Sequence, residues 1–96
     1  MAVSVLIPTP LRKLTDNHDT VFIEASTIDE LVNALDAQFP GFGGRLRDES
    51  GALRRFINVY VNDEDIRFLQ NKDTILKDGD SVSIVPAIAG GSFISD

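Results

Sequence analysis

Cysteine is absent from this chain, and so is tryptophan; histidine, tyrosine and methionine each occur once. Without cysteine there is no disulfide, no thiolate nucleophile and no thiolate metal site. A zinc site would have to be built from one histidine and carboxylates, a poor donor set for that ion. Basic residues are also scarce. Nine Lys and Arg stand against fifteen Asp and Glu, for a formal charge of −6. Phosphate contacts need clustered Lys and Arg, so non-specific nucleic-acid binding is not expected. No apolar run approaches the ~20 residues of a membrane span. The opening MAVSVLIPTPLRK carries its charge after the apolar run. A signal peptide has the opposite order, so a cytoplasmic location is expected. What is present suits a folded domain: 96 residues, 43% hydrophobic and 25% charged. That length fits one domain, and that composition argues against disorder in its body.

The charge is unevenly distributed. Residues 1–40 hold six acids and two bases, and residues 62–96 hold seven acids and three bases. Between them, residues 41–61 hold two acids and four arginines: Arg45, Arg47, Arg54 and Arg55. No aromatic interleaves these arginines, so they read as a solvated loop.

Hydrophobic periodicity orders the chain. Residues 3–8 alternate Val3, Val5 and Ile7 on one face, which predicts a strand. Residues 11–19 are polar and turn-rich, anchored by Leu11 and Leu14, and lead to a second strand over 20–25, as in a hairpin. Thr27 with Glu30 three residues on forms a capping box. Ile28, Leu31, Val32, Leu35 and Phe39 then recur at helical spacing until Pro40-Gly41. Residues 40–55 carry four glycines and read as an ordered loop with a helical turn around 45–48. A strand over 56–61 places Ile57, Val59 and Val61 on one face, and Phe56, Asn58 and Tyr60 on the other. Asn62-Asp63-Glu64-Asp65 is a turn, followed by a short strand over 66–68. Ile75 and Leu76 are expected to return to the core. Lys77-Asp78-Gly79-Asp80 is a tight turn before a last strand over 81–86, with Val82 and Ile84 inward. The order β-β-α-loop-β-β-β implies an α+β roll.

Enzymatic constellations are hard to find. His18 sits in a polar loop between Asp16 and Asp19, with no credible nucleophile beside it. The acidic turn at 62–65 lacks the spacing and the sixth-position glycine of an EF-hand loop. Gly41, Gly43 and Gly44 lack the Gly-Lys-Ser/Thr ending of a phosphate loop. Neither a cofactor nor a metal is expected. The unusual feature is the end. Ala87-Ile88-Ala89-Gly90-Gly91 follows the last strand with no apparent structural role, and a glycine pair can pass where larger residues cannot.

With that ending, the chain resembles the ubiquitin-like β-grasp sulfur carriers, which include the molybdopterin-synthase small subunit and the thiamine carrier. It looks most like the branch that serves cysteine biosynthesis. The matching residues are Ile7-Pro8, Leu11-Arg12, the stretch from Arg55 to Phe68, and the stretch from Asp78 to Gly91. The resemblance implies a mixed sheet of about five strands with one helix, residues 27–39, across one face. The domain would cover residues 1–88, with a flexible tail over 89–96. It also implies that Gly91 is the site of adenylation and thiocarboxylate formation, with Ala89 and Gly90 threading into the nucleotide site of a ubiquitin-activating-type enzyme that uses ATP. Five residues from Ala87 to Gly91 reach roughly 16 Å. The carrier is then a substrate rather than an enzyme. The family's glycine pair normally ends the chain, whereas here Ser92-Phe93-Ile94-Ser95-Asp96 follows. The bond between Gly91 and Ser92 is therefore an expected processing site for a JAMM-type metalloprotease. A pyridoxal-phosphate cysteine synthase is the implied sulfur acceptor. Conjugation through Gly91 to protein lysines and simple non-covalent binding are the competing functions. With the helix on one face, Leu6, Phe56, Tyr60 and Val85 should point away from it. They would either dock a partner or be covered by the 41–55 loop.

Overall fold

The computed structural model describes residues 2–86. The Gly90-Gly91 pair, the processing site and the proposed tail boundary therefore lie outside the described residues. Five strands form one mixed sheet: β1 (Ala2–Leu6), β2 (Thr20–Glu24), β3 (Ile57–Val61), β4 (Glu64–Asp65) and β5 (Ser81–Pro86). Their spatial order is β2-β1-β5-β3-β4. β1 runs parallel to β5, and every other pairing is antiparallel. This is the β-grasp arrangement that the resemblance implies.

Alternation does the sorting. Val3 and Val5 of β1, Val21 and Ile23 of β2, Ile57, Val59 and Val61 of β3, and Val82 and Ile84 of β5 are all buried. They meet Ile28, Leu31, Val32 and Leu35 of helix α1 (Ile28–Gln38) in one core. Thr27 caps α1 as expected, its hydroxyl accepting from the Glu30 amide at 3.2 Å. The return bond of the box is displaced by one residue. Glu30 accepts from the backbone N–H of Ser26 at 3.0 Å and from its hydroxyl at 2.7 Å. That hydroxyl, then that amide, hold the Glu30 carboxyl below its ordinary range.

Four parts of the chain depart from the sequence reading. Residues 9–15, most of which fall in the 11–19 segment read as polar turns, form a 3₁₀ helix. Its proline pair starts it, the Leu11 amide donates to the Pro8 carbonyl at 2.9 Å, and Leu11 is fully buried. The expected helical turn at 45–48 is instead helix α2 (Phe42–Leu46), three residues earlier. Residues 66–68, expected as a strand, are a 3₁₀ turn, and the pairing falls on the two residues before it. The reason is the hairpin. Asn62 and Asp63 both have positive φ, 52° and 70°. That two-residue turn matches strand twist and puts Glu64 opposite Val61. Leu76 reaches the core, but Ile75 is 61% exposed. Ile75 instead stands opposite Thr27 at the start of α1, in a bridge whose bonds run from the Ile28 amide to the Thr74 carbonyl and from the Leu76 amide to the Ser26 carbonyl.

Helix α2 contains two glycines, each costing about 1 kcal/mol relative to alanine in a helix. Tertiary contact explains it. The Gly43 amide donates to Asp36 of α1 at 2.9 Å, and a Cβ on Gly43 would lie 2.9 Å from the Asp36 side-chain carbon. The close approach buries Phe42 and Leu46 completely. Arg47 then donates to Asn33 at 2.8 Å, and Arg54 makes two bonds to the Gly44 carbonyl, so the connection is pinned along its length.

Asp80 locks the turn that leads into β5. Its carboxylate accepts from the Lys77 amide at 2.8 Å and from the Asn62 side chain at 3.0 Å. The amide, then the Asn62 bond, lower its pKa from the ordinary 3.8. A carboxylate whose folded pKa is depressed stabilises above its unfolded value and loses that contribution as pH falls through the folded one. Asp80→Asn is therefore expected to lower the urea midpoint more at neutral pH than in acid, where protonation of wild-type Asp80 removes the difference. An equal loss at both pH values would show that the charge is not what matters.

Candidate docking face and carrier terminus

The side of the sheet away from the helices carries the predicted docking residues. Pairing brings Leu6 of β1 opposite Ser83 of β5, and Ser83 opposite Tyr60 of β3. One row across the three central strands therefore reads Leu6, Ser83, Tyr60. In the next row, Val85 faces Asn58. Phe56 lies just before β3. Leu6, Phe56 and Val85 are 45%, 43% and 43% exposed, and Tyr60 is half-buried. The 41–55 segment does not cover them, since its helix is packed on α1 through Phe42, Gly43 and Leu46. Of the two outcomes expected for this face, the uncovered one holds among the described residues.

One aromatic on this face escaped the sequence reading. Phe22 of β2 is 72% exposed and pairs with Ser4 of β1. Its alternation with buried Val21 and Ile23 was the available signal. At the opposite edge a charged clamp borders Tyr60. Arg67 donates to Asp65 at 2.8 Å and to Asn58 at 2.7 Å. The Arg67 side chain, then its backbone N–H, hold the Asp65 carboxyl below its ordinary range. The acidic turn is thus engaged internally: Asp65 with Arg67, and Asn62 with Asp80 and the Ser81 amide.

His18 is exposed, its ring nitrogen 3.3 Å from the Asp16 carbonyl oxygen. The neighbouring Thr15 is buried, its hydroxyl 2.9 Å from the His18 carbonyl oxygen, which is a loop-closing role. Among the described residues no helix is long and apolar enough to cross a membrane.

β5 lies in the middle of the sheet between β1 and β3, and its last residue, Pro86, is in register with Ile57. Pro86, the last described residue, therefore lies next to Val85 and across from the start of β3, at one end of the apolar face.

Comparison with known proteins shows the family. The ThiS family model matches residues 5–91. Sulfur carrier protein CysO of Mycobacterium tuberculosis is 46% identical over 93 residues, covering 95% of this chain and all of that protein. Small archaeal modifier protein 3 of Haloferax volcanii is 36% identical over 66 residues, covering 69% of this chain and 71% of that one. The crystal structure of the Amycolatopsis orientalis BexX/CysO complex contains a chain with a TM-score of 0.87 and 44% identity, covering 93% of this chain and 99% of its own. By these matches and by its fold, the chain belongs to the ThiS family, as a homologue of the sulfur carrier CysO.

Proposed function

We propose that this protein carries sulfur as a thiocarboxylate on Gly91, formed after residues 92–96 are removed, and donates it in cysteine biosynthesis. The observation that supports this most is where the family match stops: it runs to Gly91 and leaves five residues beyond it. As a ThiS-family carrier the chain is non-catalytic, and its partners supply the chemistry. A carboxylate oxygen of Gly91 attacks the α-phosphorus of ATP and displaces pyrophosphate. A sulfur nucleophile then attacks the acyl carbon, AMP leaves with its oxygen, and a C–S bond replaces the C–O bond. While Gly91 is joined to Ser92 it is an amide with no anionic oxygen to begin this sequence. A JAMM-type metalloprotease would hydrolyse that bond, and a pyridoxal-phosphate cysteine synthase would accept the sulfur, all in the cytoplasm.

Conjugation through Gly91 to protein lysines is the second reading, favoured by the similarity to small archaeal modifier protein 3. Intact mass of the protein from its native host separates the two. A carrier shows a chain ending at Gly91 with one sulfur in place of one oxygen. A modifier appears as higher-mass conjugates, and that result without the thiocarboxylate would overturn the carrier reading.

The adenylating enzyme is assigned to the face formed by Leu6, Phe56, Tyr60 and Val85, now extended by Phe22. Buried aromatic anchors dominate interface energetics, so Tyr60→Ala is expected to weaken binding of that enzyme by at least about tenfold. The thermal midpoint should change little, because Tyr60 lies outside the core. Unchanged affinity in a titration calorimetry experiment would remove this face from the interface.

A further inference from the structure

On the helix side, beyond the reach of α1, a groove of about 450 Å³ opens between the 52–55 segment and the turns after β4. Its floor is apolar, made by Leu53, Ile57 and Ile66. Its rim is basic. Among the described residues Arg54, Arg55, Arg67 and Lys72 line it, against a single carboxylate, Asp65. That carboxylate is already committed to Arg67 at 2.8 Å. The groove is therefore strongly cationic on a chain whose net charge is −6. Two of these cations, Arg54 and Arg67, are held in place by the fold. Arg54 is fixed by two bonds to the Gly44 carbonyl, 3.1 and 3.0 Å long. Asn71, at φ 51°, turns the backbone immediately before Lys72. Among the described residues neither Arg55 nor Lys72 has an ion-pair partner, and both are exposed.

We infer that this groove is a second docking site, for a segment of a partner protein that alternates apolar and carboxylate side chains. The floor takes the apolar groups, and Arg55 and Lys72 take the carboxylates. Bidentate guanidinium–carboxylate pairing gives such a site direction as well as charge. A nucleic-acid strand fits less well, because no aromatic lines the groove for bases to stack on. The site adjoins the outer sheet face only at Arg67, which also donates to Asn58, and it does not depend on the carrier reading.

The test uses the full chain, labelled with nitrogen-15, and a blocked five-residue peptide alternating aspartate and leucine. Saturable amide shifts are expected at Leu53, Arg55, Ile57 and Ile66. Replacing the peptide's aspartates by asparagine, or making the Arg55→Glu and Lys72→Glu double variant, should each weaken binding by about tenfold or more. The double variant should keep its urea midpoint, since both residues are exposed. Four results would overturn the inference: no saturable shift, shifts confined to the outer sheet face, equal affinity for the asparagine peptide, or equal affinity of the double variant. Tighter binding of a single-stranded oligothymidylate than of the peptide would overturn it as well.

Discussion

A chain ending at Gly91 is expected to support ATP–pyrophosphate exchange by its adenylating enzyme, while the full-length chain stays at background, a difference of at least about 100-fold, or nearly 3 kcal/mol in barrier. The reason is chemical before it is steric. Exchange requires an anionic carboxylate oxygen to attack phosphorus, and an internal Gly91 offers only an amide carbonyl. The steric term has the same sign. Ala89, Gly90 and Gly91 form the narrowest stretch in the sequence, and Phe93 two residues later would not follow them into a channel cut for glycine. Gly91→Ala in the shortened chain should react poorly for that second reason alone, because its Cβ would sit beside the α-phosphate. Purified components suffice for the measurement, with the mass of the full-length chain confirmed intact after the assay. Exchange by intact full-length protein at the rate of the shortened form would end the precursor interpretation.

Phe42→Ala is expected to cost about 3–5 kcal/mol, a large share of the 5–15 kcal/mol total for a domain. Phe42 is among the largest fully buried side chains, and it sits on a helix of only five residues. Such a short helix has negligible stability of its own, so it persists through what it buries against α1. Removing the ring both empties core volume and releases the segment that carries Gly43 against Asp36. Leu35→Ala, on the facing helix, should cost about 2–5 kcal/mol by the cavity effect alone. Urea unfolding at fixed pH checks both. A loss below about 1 kcal/mol for Phe42→Ala would mean that α2 lies outside the cooperative core.

The outer face shows how far a site could be read in advance. Leu6, Phe56, Tyr60 and Val85 were legible because each alternates with a residue of evident core character, and period-two alternation assigns a face without knowledge of the partner strand. That they share rows, Leu6 with Ser83 and Tyr60, is a matter of register. Phe22 obeys the same alternation, yet it is important only because β2 flanks β1. The basic groove was not legible at all. Arg54 and Arg55 are a dozen or more residues away from Arg67 and Lys72 in sequence, and they converge only because β3 and the turns after β4 fold back beside the 52–55 segment.

The sequence by itself determined the elements whose signal is local. Strand faces follow from alternation, the start of α1 from Thr27 and Glu30, the turn before β5 from Gly79, and the candidate reactive site from Gly90-Gly91 and its surrounding motif. These depend on interactions within a few residues, which composition and spacing encode directly. Tertiary structure alone decided the rest. It made a helix of a glycine-rich stretch, because burial of Phe42 and Leu46 and the bond from Gly43 to Asp36 outweigh poor intrinsic propensity. It turned Ile75 out to solvent, because its neighbours make the bonds to the start of α1, the Thr74 carbonyl accepting from the Ile28 amide and the Leu76 amide donating to the Ser26 carbonyl. It left the outer face uncovered by laying the 41–55 segment on α1, where complete burial of two large side chains was available and the sheet's far face offered only half-exposed ones. In each case the deciding energy is area buried against a residue distant in sequence, and no local pattern records which distant residue that will be.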